Sequence, residues 1–160
     1  FKNNLTFFCK FMVMNYIKLT TVYSLAILYV SVGITHFTNP NFFIHLVPPS
    51  LIFIEELVFI SGIVEVVMGI LLFFKKCRKL GALITIALLL AVFPANVYLY
   101  LSDTPRAVME ISKNQALFRL PFQIPLIIIA YWHSMEKSSK RFSYFCTALF
   151  IPTIIYFISL

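Results

Sequence analysis

The chain is 160 residues long, with 61% apolar and 12% charged side chains. A soluble domain runs nearer half apolar and a quarter charged. That excludes an ordinary soluble enzyme, and with it a disordered chain, a collagen and a disulfide-rich secreted module. The formal net charge of +7, in so apolar a chain, points to basic cytoplasmic loops and not to a nucleic-acid partner. The composition is that of an integral membrane protein.

Residues 1–18 come first. The stretch from Phe7 to Ile17 is interrupted by Lys10, is too short to cross a bilayer, and has no small-residue cleavage site before the first span. It reads as a cytoplasmic lead-in lying at the interface, or as an extension upstream of a start at Met12 or Met14. Crossing the hydrocarbon takes about 20 apolar residues. Five windows come close: 19–35, 57–74, 80–101, 117–134 and 142–160. Between the first two, Asn39-Pro40 has the form of an N-cap followed by proline at the first helical position, and Pro48-Pro49 closes the segment. Both a short helix lying on the outer interface as a partial lid and a plain extended loop fit this bracket.

Ten of the thirteen basic residues fall on one side of these spans: Lys2, Lys10, Lys18, Lys75, Lys76, Arg78, Lys79, Lys137, Lys140 and Arg141. Only Arg106, Lys113 and Arg119 fall on the other. The positive-inside rule then puts the N-terminus in the cytoplasm and, after five spans, the C-terminus outside. Five of the six acidic residues, Glu55, Glu56, Glu65, Asp103 and Glu110, lie in the outer half. Cys9, Cys77 and Cys146 are far apart and form no C-x-x-C pair, so neither a dithiol centre nor a four-ligand zinc site is expected.

An ionisable side chain in hydrocarbon costs about 2.5–3.5 kcal/mol on insertion scales, so each one needs a reason. Glu65 is eight residues past Leu57, about 12 Å along the helix and close to mid-membrane. Gly62 and Gly69, at i−3 and i+4, share its face and permit another helix to come close, so Glu65 points into the bundle. His36 closes the first span. Asn96 follows Pro94, which removes a backbone donor and releases a carbonyl. Arg119 and Gln123 share a face of the fourth span at i and i+4. These five residues, His36, Glu65, Asn96, Arg119 and Gln123, are expected to meet in the outer half as one polar cluster, with Glu65 and Arg119 paired directly or through one hydrogen-bonding neighbour. Such a cluster serves bundle cohesion, a ligand or quinone pocket, or proton or ion conduction, and spacing leaves all three open. Tyr23, Tyr29, Tyr98, Tyr100 and Trp132 read as interface or packing aromatics. His133, beside Glu136 and Lys137, reads as a solvent contact at the inner end. No H-x-x-x-H or E-x-x-H spacing occurs, and a metal site is not expected.

Five stretches run in order over about 19–134: Gly33-Ile34-Thr35-His36-Phe37 with Pro40 and Val47-Pro48-Pro49; Ser61-Gly62-Ile63-Val64-Glu65 with Gly69; the basic turn through Lys76, Arg78 and Lys79; Ala91-Val92-Phe93-Pro94-Ala95-Asn96; and Phe118-Arg119-Leu120-Pro121-Phe122-Gln123. Together they resemble the DoxX family of small membrane proteins. The resemblance implies an all-α membrane protein of the bacterial cytoplasmic membrane, with a four-helix transmembrane bundle over 19–134 and, as a departure, an additional C-terminal transmembrane helix over 142–160. Some relatives in that family belong to thiosulfate:quinone oxidoreductase or other membrane-bound oxidoreductase assemblies, which implies a quinone as cofactor and a partner subunit. The chain itself has no haem, flavin, iron–sulfur or dithiol motif, and is read as non-catalytic. The first functional reading is a small-molecule-binding or accessory membrane subunit. The second is a subunit of a quinone-linked oxidoreductase, and the third is a small transporter, which the lack of a visible inverted repeat disfavours.

Overall fold

The computed structural model describes residues 2–159, with side chains from Met14 to Ser159; the side chains of Lys2, Phe7, Cys9, Lys10 and Met12 lie outside the described residues. The described chain is helical, with α1 at Lys2–Thr38, α2 at Pro40–Ile44, α3 at Ile54–Phe73, α4 at Arg78–Ala91, α5 at Phe93–Leu101, α6 at Asp103–Met109, α7 at Lys113–Ser134 and α8 at Lys140–Ile158. Five stretches are long and apolar enough to cross a membrane: Met14–Thr38, Ile54–Phe73, Arg78–Leu101, Lys113–Ser134 and Lys140–Ile158. A helix satisfies its own backbone in hydrocarbon, where no water can. The chain is an integral, multi-pass membrane protein. The backbone of α1 runs unbroken from Lys2 into the first span, whose apolar stretch begins at Met14.

The spans close a ring: α1 packs on α3, α3 on α4, α4 on α7, α7 on α8, and α8 back on α1. Leu25, Leu89 and Leu126, from α1, α4 and α7, meet inside it, and Phe150, Ile154 and Phe157 of α8 pack against them. The last helix is therefore part of the core. The expected four-helix bundle with an appended helix gives way to five helices around one interior.

Glycine sets the closest approach, between α1 and α3. A Cβ on Gly33 would lie 2.9 Å from the Gly62 carbonyl, and one on Gly69 would lie 2.9 Å from the Ala26 carbonyl. Inside lipid the hydrophobic effect does not drive helices together, so this close backbone packing does. Gly62 and Gly69 do what their spacing predicts, and Gly33 joins them.

The third span breaks at Val92, with Pro94 in the first turn of α5. Cap amides at the break go to the carbonyls of Leu88 and Leu90, and the Leu89 carbonyl between them accepts from Gln123 Nε2. The side chain of α7 thus repairs the interruption of its neighbour. Asn39-Pro40 does start a helix, the single turn of α2, although the Asn39 side chain makes no capping bond. α2 lies against α3 and α1.

At the opposite, basic end, Lys18 Nζ donates to the Met135 carbonyl at 2.6 Å and stands 5.4 Å from the Trp132 ring centroid. Arg78 Nε donates to the Leu72 carbonyl near the end of α3, where a helix's negative pole favours a cation. His133 is only 1% exposed, which corrects its reading as a solvent contact. Thr21 donates to the Lys18 carbonyl, so its oxygen accepts from His133 Nε2 at 3.0 Å. Glu136 and Lys137 lie past the end of α7 and are exposed, while His133 is inside its last turn and covered by α1.

Candidate functional site

The five polar residues expected in one cluster form two groups. His36 Nδ1 of α1 lies 3.4 Å from Glu65 Oε2 of α3. On the other side of the ring, Arg119 Nε donates to Asn96 Oδ1 at 3.1 Å, Asn96 Nδ2 donates to Gln123 Oε1 at 3.1 Å, and Gln123 Nε2 donates to the Leu89 carbonyl. The expected Glu65–Arg119 pair does not form. Glu65 instead approaches His36, and Asp103 pairs with Arg106. The reason is the order of helices around the ring: α4 packs against both α3 and α7 and keeps them apart. Depth along a span is legible in sequence, but neighbourhood around the bundle is not.

The two groups differ in how complete they are. The chain from Arg119 to Leu89 uses each amide as donor and acceptor, and the Arg119 guanidinium stands 5.4 Å from the Phe157 ring centroid. It ties α7 to the break between α4 and α5, a structural role. The His36–Glu65 group is unfinished. His36 Nδ1 donates to the Val32 carbonyl at 3.0 Å, so the longer approach to Glu65 is not a hydrogen bond. Glu65 Oε2 is buried with no hydrogen-bond partner among the described residues. Buried acceptors in that condition are few in native proteins, and each calls for an explanation.

Beside this pair is an open cleft of about 650 Å³ between α2 and the start of α3. His36 lines it, with Pro40, Asn41 and Ile44 from the α2 side and Glu55, Glu56, Val58 and Phe59 from α3. The Phe43 ring of α2 stacks on His36 with centroids 3.6 Å apart, and Phe37 meets Phe59 edge to face at 5.3 Å. α2 therefore acts as a roof that fixes the imidazole. Sequence reasoning placed His36 and Glu65 at this end and left the proline-bracketed segment between a short helix and an extended loop, but it did not foresee the cleft or its acidic rim. Glu55 and Glu56 in the first turn of α3, one turn beyond a proline-bracketed lid, were the available signal.

A family model described as a domain of unknown function (DUF8561) matches residues 25–134. The chain belongs to this family. The finding corrects the resemblance to the DoxX family, which no family model supports, and with it the grounds for carrying over a quinone or an oxidoreductase partner. The stretches behind that resemblance are short, and several owe their form to glycines and prolines, which bundles of transmembrane helices use generally for close packing and helix breaks. No curated protein and no solved structure matches the chain. The DUF8561 region ends with α7 and includes the cleft, the His36–Glu65 pair and the Arg119–Asn96–Gln123 chain.

Proposed function

We propose that the chain is a binding subunit of the membrane, non-catalytic in itself, whose cleft under α2 receives a small amphipathic molecule. The observation that carries this reading is the open cleft of about 650 Å³ beside a buried, incompletely bonded His36–Glu65 pair. Small-molecule sites commonly span about 300–1,000 Å³, are mostly apolar and hold a few polar groups that fix orientation. With the basic turns in the cytoplasm, the cleft opens at the outer face and admits its ligand from the outer leaflet or from outside.

The test is native mass spectrometry of the chain purified in mild detergent, with lipid extraction of the same sample. A stoichiometric small molecule is expected in the parent and lost in Ile60→Trp, which adds bulk to the cleft wall at an exposed position of α3. Loss of nothing on filling the cleft, with the fold intact, contradicts the proposal. A quinone in the extract would favour the redox-subunit reading.

A further inference from the structure

The ionisable groups that line the cleft are His36 at its floor and Glu55 and Glu56 at its rim, and Asn41 adds a neutral amide. His36 is 7% exposed. Its Nδ1 hydrogen goes to the Val32 carbonyl. Behind His36, Glu65 Oε2 has no donor among the described residues. Glu55 and Glu56 stand exposed at the rim. The helix N-terminus favours negative charge there, but no basic side chain pairs with either among the described residues.

The basic residues of this end are engaged elsewhere. Arg106 donates to the carbonyls of Leu99 and Tyr100, and pairs with Asp103. Lys113 stands over the Tyr100 ring, and Arg119 donates to Asn96. The cleft thus combines two carboxylates that have no basic partner among the described residues with aromatic rings. Ring faces attract a cation within about 6 Å. An ammonium head group would gain a direct Coulombic attraction to these carboxylates, a neutral one would not, and an anionic one would be repelled.

We infer that the cleft selects an amphiphile with an ammonium head group, held between His36 at the floor and the Glu55/Glu56 rim. This rests on the cleft being the binding site. Its source is either a lipid of the outer leaflet or a free long-chain amine, and the shared chemistry is the protonated nitrogen on an apolar chain.

The test offers octylammonium, octanol and octanoate, at equal concentration, to the full chain in a non-ionic detergent, with retention read by native mass spectrometry. Octylammonium is expected to be retained roughly tenfold more strongly than octanol, a difference of about 1.4 kcal/mol, with octanoate weakest. The double change Glu55→Gln with Glu56→Gln, at two exposed positions, is expected to keep the parent thermal transition and abolish the preference. Equal retention of octanol, a preference for octanoate, or a preference that survives the double change overturns the ammonium inference and leaves the cleft as a binding site. Retention of none of the three overturns both. If octylammonium binds, competition by an ethanolamine-headed lipid in nanodiscs assigns the lipid source, and its failure to compete assigns the free amine.

Discussion

The side chain of His36 occupies the space that a side chain on Gly62 would need: a Cβ there would lie 2.6 Å from the Cβ of His36. The bare backbone at Gly62 lets α1 bring His36 across α3, so that Nδ1 comes within 3.4 Å of Glu65 Oε2 one turn further on. The buried pair exists because one glycine leaves room for it.

Gly62→Ala should therefore both overpack the α1–α3 contact, at about 1–3 kcal/mol, and displace His36. Gly69→Ala is the matched control: its Cβ would meet Val30 Cγ2 at 2.7 Å and the Ala26 carbonyl at 2.9 Å, in the same interface but away from the pair. Thermal unfolding in detergent, read beside amphiphile retention, separates the two effects. Both variants should lose stability, but only Gly62→Ala should lose retention beyond what its stability explains. Equal loss of retention in both would show that placing His36 is immaterial to binding.

Gln123→Leu removes the donor to the Leu89 carbonyl and the acceptor of Asn96 Nδ2 together. A buried polar group left without its partner costs about 1–3 kcal/mol, so the unfolding midpoint should fall clearly. An unchanged midpoint would mean that the break at Val92 is held by packing alone.

The separation of the two polar groups makes a further prediction. Glu65→Leu and Arg119→Leu share no partner, so their effects on stability should add to within about 0.5 kcal/mol. Asn96→Ala with Arg119→Leu should not add, because Arg119 donates to Asn96 directly. Unfolding of the singles and doubles in detergent completes both cycles, and strong coupling between Glu65 and Arg119 would contradict the arrangement of helices described here.

The proposed orientation predicts which positions an impermeant thiol reagent reaches on intact cells. A cysteine placed at exposed Ser50 should be modified, and Cys77, between α3 and α4, should be spared. Peptide mapping identifies the modified residue. The reverse pattern would place the basic turns outside.

The five spans were legible because hydrocarbon demands about 20 apolar residues per crossing. The inward aim of Glu65 was legible because Gly62 and Gly69 share its face. The partners were not. Which helix flanks which is decided by packing around the ring, and that separated Glu65 from Arg119. Gln123 bonds to a backbone carbonyl, which every residue carries and no residue type announces. His133 looked solvated from its neighbours Glu136 and Lys137. Thr21 of α1 covers it, and a hydroxyl at a similar distance from the basic end of another span was the one available hint.

The central claim is that the cleft under α2 is where this protein binds its ligand, and photolabelling tests it most directly. A diazirine-bearing long-chain amine is irradiated with the full chain in nanodiscs, and the adducts are mapped by peptide mass spectrometry. The account predicts adducts concentrated on Phe37, Ile44 and Phe59, reduced by competing octylammonium and by Gly62→Ala. Adducts spread over exposed apolar side chains elsewhere, such as Ile124 and Ile151, and indifferent to the competitor would contradict it.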